Sequence, residues 1–553
     1  MCGIWAIFGN ANDISDHSNE FHKIKHRGPD AFRMESVQRI PNCCLGVHRL
    51  AVIDILNGMQ PMKLDKYPHV VLIYNGEIYN HQMLKKEFGF HYDTQCDGEA
   101  IIHLYIHGGI EFCAKQLDGE FAFCLVDTLK RRVFLGRDTY GIKPMFKIYN
   151  DSGFLALCSE IKGLMGFTNG AHSGQIEHFL PGYIESYALD LHGQATLDER
   201  IQFHKIDGTP VYKSVVEIKD INDVKKNIRS LLEAAVEKRM MADRRVGCLL
   251  SGGLDSSLIT SIVCRKAKEL NLPYRIQTFT IGLEGSPDLI AARKMADLLQ
   301  TEHHEIIFNH KEGFDVLQDV IYYLESYNSL IIRTSIAQFL LCKYIKENTN
   351  TIVILSGEGA DEVAQGYFHF HKAPSGKEAD EASRRHCSNL HYLDVLRTDR
   401  TSSAWGLEVR VPFLDHTFSS YYLSLPGALK LPQKGIEKYL LRAAFDGDSL
   451  LPKDILWRPK VEFSEGLCSK TKPWYHVLQE YIDKEITDNE FAESAQQYTI
   501  RTPKTKEALY YRRIRYILSQ SGSSGSLLLG TTVDTRDRFF SMAHGTLQIT
   551  IIS

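Results

Sequence analysis

Arg245-Val246-Gly247-Cys248-Leu249-Leu250-Ser251-Gly252-Gly253-Leu254-Asp255-Ser256-Ser257 decides how the larger part of this chain is read. Arg245 to Leu250 is a short apolar run suited to a buried strand, and it passes directly into a turn of serines and glycines. Leu258 to Glu269 then reads as a helix. At such a junction glycines let backbone N–H groups and serine hydroxyls close around a phosphate, aided by the helix N-terminus. No Gly-Lys-Ser/Thr follows, so the turn is not a Walker A loop. Asp255 is the natural partner here for Mg²⁺ among phosphates, because a hard cation prefers oxygen ligands.

Outward from this turn the texture repeats. Val224 to Ala242 is a long helical run upstream; downstream come a strand (Ile276 to Ile281), a helix (Asp288 to Leu299) and a strand (Glu302 to Phe308). Thr351 to Leu355 is one more strand, ending in Ser356-Gly357-Glu358-Gly359. This alternation predicts an α/β domain with a parallel sheet and helices on its faces. Two loops at the sheet's carboxyl edge can then face one crevice. Beyond this strand the chain is helix-rich to about Ile517.

The first two hundred residues differ. Cys44 to Ile53, Val70 to Tyr74, Phe121 to Asp127 and Arg132 to Leu135 read as strands between short turns, and Asp97 to Gly108 has helical apolar spacing. An α+β layered domain with antiparallel sheets is expected. Residues 205–222 are the best linker, and 553 residues are too many for one core.

Composition is ordinary for a globular chain, 44% apolar and 24% charged. A net charge of −4 gives no polybasic footprint for nucleic acid or acidic membrane, and no window is apolar for long enough to span a bilayer. The N-terminus lacks the features of a secretory leader, and twelve cysteines without a CxxC pair indicate a reducing compartment, the cytosol. The vicinal Cys43-Cys44 pair reads as buried small hydrophobes.

Cys2 is the most informative residue of the N-terminal part. Removal of Met1 would leave a cysteine whose own α-amine, titrating at about 8, can serve as base for its thiol. Three blocks support it: His26-Arg27-Gly28-Pro29-Asp30, His48-Arg49-Leu50-Ala51-Val52-Ile53-Asp54 and Tyr74-Asn75-Gly76-Glu77. The Asn75 side chain and the Gly76 N–H can bind an oxyanion. Arg49 suits an amino acid's α-carboxylate, and Asp97 or Glu77 its ammonium. Arg27, Asp30 and Arg137 can individually be fold-supporting ion pairs.

With these blocks in order, the N-terminal part resembles a class II glutamine amidotransferase domain, which begins Cys-Gly-Ile. Leu117-Asp118-Gly119-Glu120-Phe121-Ala122-Phe123 and Gly136-Arg137-Asp138-Thr139-Tyr140-Gly141-Ile142-Lys143-Pro144 match as well. The Ser251–Ser257 turn resembles the pyrophosphate loop of ATP pyrophosphatases. Over residues 1–515 the chain resembles the glutamine-dependent asparagine synthetases, through Ser356-Gly357-Glu358-Gly359-Ala360-Asp361-Glu362, Gly406 to Asp415 and Leu456-Trp457-Arg458-Pro459-Lys460.

The resemblance implies an Ntn-hydrolase-like αββα glutaminase domain over 1–205, a linker over 206–221, a synthetase domain over 222–518 and a divergent tail over 519–553. It implies glutamine, aspartate and ATP as small-molecule partners with Mg²⁺, and it allows a homodimer. Cys2, Asn75, Gly76, Glu358, Arg333 and Lys460 would be catalytic. Arg49, Leu50, Val52, Ile53, Asn75, Gly76, Glu77 and Asp97 would hold glutamine. Leu249, Ser251, Gly252, Gly253, Asp255, Ser256, Ser257, Ile281, Ser356 and Gly357 would hold ATP. Asp394 and Arg397 would orient aspartate, and Asp255 with Asp361 would meet Mg²⁺ through the phosphates.

Two departures stand out. Where the family carries Asp-x-Thr-Thr-x-Arg, this chain reads Asn328-Ser329-Leu330-Ile331-Ile332-Arg333. Loss of two hydroxyls could leave a buried acceptor unpaired, at about 1–3 kcal/mol, which predicts impaired or altered synthetase chemistry. A glutaminase or a weakly active regulatory paralogue is the alternative reading. The chain after Ser519 leaves the family pattern, with Ser519 to Ser526 reading as a flexible linker.

Overall fold

A computed structural model describes residues 1–168, 174–206, 220–460, 474–499 and 501–520. Most of the expected 206–221 linker, and the tail beyond Gln520, lie outside the described residues.

The N-terminal strands are β1 (Gly3–Phe8), β2 (Ala31–Ser36), β3 (Cys43–Arg49), β4 (Val70–Ile78), β5 (Gly119–Asp127), β6 (Arg132–Arg137), β7 (Phe146–Tyr149), β8 (Leu155–Cys158), β9 (Glu177–His178), β10 (Tyr183–Leu189) and β11 (Ala195–Gln202). They form two antiparallel sheets, ordered β2-β3-β1-β8-β7-β9 and β11-β10-β6-β5-β4. Side-chain alternation explains why these strands read as nearly continuous apolar runs. Ile4, Ala6 and Phe8 of β1 meet Val71 and Ile73 of β4 between the sheets, while Trp5 and Ile7 face an outer apolar layer. On the other outer face, Val70, Leu72 and Tyr74 pack under helix α1 (Glu99–Gln116) against Ala100, Ile101 and Leu104. The domain is thus four-layered, as expected.

The C-terminal strands β12 (Arg245–Leu249), β13 (Gln277–Gly282), β14 (Glu302–Ile307), β15 (Thr351–Leu355) and β16 (Glu408–Arg410) form one parallel sheet ordered β14-β13-β12-β15-β16. Helices α2 (Ile221–Lys238), α3 (Leu254–Glu269) and α4 (Pro287–Leu299) cover one face and α5 (Ser329–Asn348) the other. Also used below are α6 (Ala360–Val363), α7 (Asp394–Ser403), α8 (His416–Ser424), α9 (Tyr439–Phe445) and α10 (Lys506–Gln520). Among the described residues no helix is long and apolar enough to cross a membrane.

Several boundaries differ from the expectations for local reasons. α1 runs past Gly108 to Gln116 because Gly109 takes φ 82° and kinks it without ending it. β3 stops at Arg49, and residues 50–54 leave the sheet, with Leu50, Val52 and Ile53 walling a cavity. α3 begins at Leu254, so Leu254 to Ser257 form its first turn and not a loop. β16 was not anticipated at all.

The two halves meet on apolar and ionic contacts together. Met1, Leu50, Val52, Tyr140 and Ile142 belong to the same apolar core as Leu258, Val395 and Phe413. Arg27 pairs with Glu160 (2.7 Å) and crosses to Asp399 (2.8 Å), and Arg400 returns to Glu160 (3.0 Å). Arg239 crosses to Glu120 (2.9 Å) and also holds Asp415 (2.7 Å), which Lys238 reaches too (2.5 Å). Arg137, by contrast, spends its guanidinium on the carbonyls of Gly141, Lys143 and Phe179.

Burial alone would raise the Asp415 carboxyl, but Lys238 and Arg239 hold it well below the usual carboxylate range. Its native pKa lies below its unfolded one, so its stabilisation is complete above a pH of about 4 and is lost as pH falls below that. Asn at 415 keeps an oxygen for the α8 N-cap, where Asp415 Oδ1 accepts from Thr417 and Phe418 N–H, but loses the charge. Asp415→Asn is expected to destabilise at pH 7 by on the order of 3 kcal/mol. The gap from wild type should narrow at pH 3; urea titrations at both pH values check this.

Candidate active site

Two sites lie on either side of this seam. The first is a small cavity lined by Cys2, Arg49, Leu50, Val52, Ile53, Gly76, Glu77 and Asp97, with Met1 and Glu408 among the other walls. All the residues expected to hold glutamine meet here except Asn75, which is reached through the backbone: Cys2 N–H donates to Asn75 Oδ1 at 2.7 Å. Cys2 stands at the start of β1, its Sγ 3.9 Å from the Leu50 carbonyl. Burial pushes its thiol up, and the nearby amino terminus works against that.

Asn75 is buried, and its Nδ2 has no hydrogen-bond partner among the described residues, leaving a donor available to an oxyanion. Gly76 beside it has φ 136°, and a Cβ there would fall 1.8 Å from the Glu120 carbonyl, so no other residue fits. Arg49 donates from Nη1 to the Ile55 carbonyl at 3.0 Å and from Nη2 to that of Asp54 at 2.5 Å. Its side chain thereby braces the turn that closes the cavity.

Glu77 and Asp97 face the same small space. Asp97 accepts from Ile78 N–H (2.6 Å) and Tyr74 O–H (2.9 Å). Glu77 Oε2 has no hydrogen-bond partner among the described residues. Burial first, and Asp97 next, push the Glu77 carboxyl up; burial also raises Asp97. Two crowded, buried carboxyls, with Arg410 only partly opposing at Glu77, favour keeping a proton, and an incoming ammonium would relieve both.

Three contributors escaped sequence reasoning. Glu408 Oε2 takes the chain's amino terminus at 2.7 Å, Arg410 Nη2 stands 3.6 Å from Glu77, and Gln60 Oε1 accepts the Tyr74 N–H at 2.6 Å. Glu408 and Arg410 lie in the Gly406 to Asp415 block, but nothing local says that their side chains cross to the other half.

The second site is the crevice at the carboxyl edge of the parallel sheet. The Ser251 hydroxyl lies 3.0 Å from that of Ser256, which also accepts the Ser251 N–H at 3.1 Å. Gly252, at φ 72°, lets the turn sit against α4, since a Cβ there would lie 2.4 Å from Ala291. Gly253 is the N-cap of α3; Leu249 and Ile281 stand at adjoining strand ends, and Ser257 is fully buried.

Opposite, Ser356 N–H donates to the Arg410 carbonyl at 3.0 Å, and Gly357 abuts the Asp255 backbone. Arg397 on α7 bridges Glu358 (2.6 Å) and Asp394 (2.9 Å), so the two aspartate-orienting residues and Glu358 form one cluster. Burial first raises Glu358, to about 7, with Arg397 opposing and Asp394, Asp361 and Asp255 adding to it. Lys460 Nζ is 2.6 Å from Asp361 Oδ2. Lys438, which was not anticipated, bridges Asp361 Oδ1 (2.6 Å) and Asp255 Oδ2 (2.5 Å).

The structure does not bring Arg333 into that cluster. Its charged partner is Glu507 on α10, at 2.7 Å from Nε, and its guanidinium lies over the Tyr475 ring. In the divergent segment Asn328 caps α5 through Leu330 N–H at 3.0 Å. Leu330 is 47% exposed, and Ile331 packs with Ile332 and Leu324 in an apolar cluster.

A family model described as a glutamine amidotransferase domain matches residues 1–189, and one described as asparagine synthase matches 227–381 and 372–523. An asparagine synthetase [glutamine-hydrolyzing] from Gallus gallus is 51% identical over 521 residues, covering 93% of each chain. Those of Cricetulus griseus and Homo sapiens are 51% and 50% identical over the same length and share. They lend no support to the glutaminase-only or regulatory reading. The chain belongs to the family of glutamine-hydrolysing asparagine synthetases.

Proposed function

We propose that this chain makes asparagine from aspartate, ATP and glutamine, its 1–205 part releasing ammonia and its 222–518 part consuming it. The observation that carries this reading is a second, small cavity between the sites. Met1, Ile142, Lys143, Val395, Thr398, Asp399, Val409 and Val411 line it. It shares Met1 with the Cys2 cavity and touches α7, which bears Asp394 and Arg397. Its largely aliphatic wall suits an uncharged NH₃ better than ammonium.

In this reading Met1 is removed and the Cys2 amine takes the thiol proton. The sulfur attacks the glutamine carboxamide, with Asn75 Nδ2 and the Gly76 N–H donating to the oxyanion. The C–N bond breaks, ammonia leaves, and water releases glutamate from the thioester. Arg49 faces the α-carboxylate, and Glu77 and Asp97 face the ammonium.

In the crevice the β-carboxylate of aspartate, oriented by Arg397, attacks the α-phosphorus of ATP. Pyrophosphate leaves from the Ser251–Ser256 turn, and Lys460 compensates its charge. Ammonia then displaces AMP, passing a proton to Glu358. Asp255 and Asp361 present oxygens around one point, which fits Mg²⁺; when bound it supplies charge neutralisation among the phosphates. A cytosolic location belongs to this reading, supported by the free, buried state of every described cysteine. So does the homodimer, which sedimentation checks.

The purified chain with glutamine, ATP–Mg²⁺ and aspartate should give asparagine, glutamate and pyrophosphate in equal amounts; glutamate without aspartate-dependent pyrophosphate would overturn the reading. Cys2→Ala should lose glutamine-dependent synthesis yet still make asparagine from ammonium chloride. A carboxyl raised to about 7 is neutral below that pH and a base above it. At a fixed concentration of free NH₃, turnover should therefore rise through pH 7 in wild type. Glu358→Gln should remove that limb and slow turnover by about 10²–10⁴-fold; rate–pH profiles decide it.

A further inference from the structure

Lys438 sits at the centre of the nucleotide crevice, although no pattern in the sequence drew attention to it. Its side chain is 2% exposed, and its Nζ stands 2.5 Å from Asp255 Oδ2 and 2.6 Å from Asp361 Oδ1. The fold makes room for it: at Gly366 a Cβ would fall 2.0 Å from both Asp361 Oδ1 and Lys438 Cε. Lys438 also holds φ 54° at the N-cap of α9, a left-handed conformation that a non-glycine residue adopts at a cost of about 1 kcal/mol.

The charges in this cluster balance. Asp255 and Asp361 carry two negative charges; Lys438, and Lys460 at 2.6 Å from Asp361 Oδ2, carry two positive ones. A bare divalent ion arriving here meets carboxylates already neutralised, and it must push a buried ammonium off both oxygens with no new anion to receive it. An unpaired buried charge is costly, so that exchange is unfavourable. ATP changes the balance, because its phosphates bring the missing anion and their oxygens suit the three donors of an ammonium.

We infer that Lys438 is the resident counter-ion of the seat that Asp255 and Asp361 offer a divalent cation, so that the cation enters only with the nucleotide. Lys438 moves from carboxylate to phosphate oxygens as the metal takes its place. The inference rests on the reading above that these two aspartates hold Mg²⁺.

Mn²⁺ titrated into the full-length chain and followed by electron paramagnetic resonance, with and without ATP, tests it. Wild type should bind Mn²⁺ with ATP and bind Mn²⁺ alone at least about tenfold more weakly. Lys438→Met should tighten binding of Mn²⁺ alone by about tenfold or more, since one ammonium no longer competes. Lys438→Gly is a second such variant in which glycine accepts the left-handed backbone, guarding against misfolding; circular dichroism confirms that each is folded. Unchanged nucleotide-free affinity in the folded variants would overturn the inference, as would wild type binding Mn²⁺ alone as tightly as with ATP. Asp255→Asn separates the two levels: if it leaves Mn²⁺–ATP binding intact, the aspartate seat itself is wrong. If it weakens that binding while the Lys438 variants change nothing, only the role of Lys438 falls.

Discussion

Glu408 belongs to the parallel sheet, yet its carboxylate receives the chain's own amino terminus, 407 residues away in sequence. The strand that carries it, β16, is three residues long, and its alternation fixes what each residue can do. Val409 joins the apolar layer on one face, while Glu408 and Arg410 point to the other and enter the Cys2 cavity region. At the same time the Arg410 carbonyl accepts the Ser356 N–H of the nucleotide crevice at 3.0 Å. Neither site is whole without this strand, so the placement of one site relative to the other is set by backbone pairing and not by a flexible tether.

The seam around β16 is unusually charged for a buried surface. Arg27, Arg239, Arg400 and Arg410 are each at most 1% exposed, and each has carboxylate partners. Such pairs add little to net stability over an apolar interface, because desolvation offsets most of the attraction. Their effect is on geometry. A sliding interface would strand several buried charges at once, whereas the apolar contacts of Leu50, Val52, Tyr140 and Ile142 with the C-terminal core would tolerate small shifts. Apolar burial supplies the adhesion and the ion pairs supply the register.

The elements with strong local signals were readable from the sequence. Thr351 to Leu355 was expected as a strand and is β15 residue for residue, because an apolar run bounded by turn residues has few other uses. The Ser251–Ser257 turn and the Cys2, Arg49, Asn75 and Glu77 blocks were found because chemistry constrains their spacing. Lys438 and Glu408 were not, since each acts on residues 183 and 407 positions away and leaves no periodic trace. Arg333, catalytic only by what the resemblance implies, is paired with Glu507 by tertiary packing that no local pattern announces.

Met1 ties processing to both halves of the proposed reaction. Its amine is spent on Glu408, its sulfur lies 3.7 Å from Arg27 Nη2, and its side chain is a wall of both cavities. While it is present, the Cys2 nitrogen is an amide that donates to Asn75 and cannot accept a proton from the thiol. Its removal turns that nitrogen into an amine beside the sulfur and deletes the side chain that both cavities share. Glu408 is not orphaned by the loss, because Arg410 Nη2 stays 2.8 Å from its Oε1. One cleavage would therefore create the base that makes ammonia and open the way along which ammonia leaves, so that neither exists without the other.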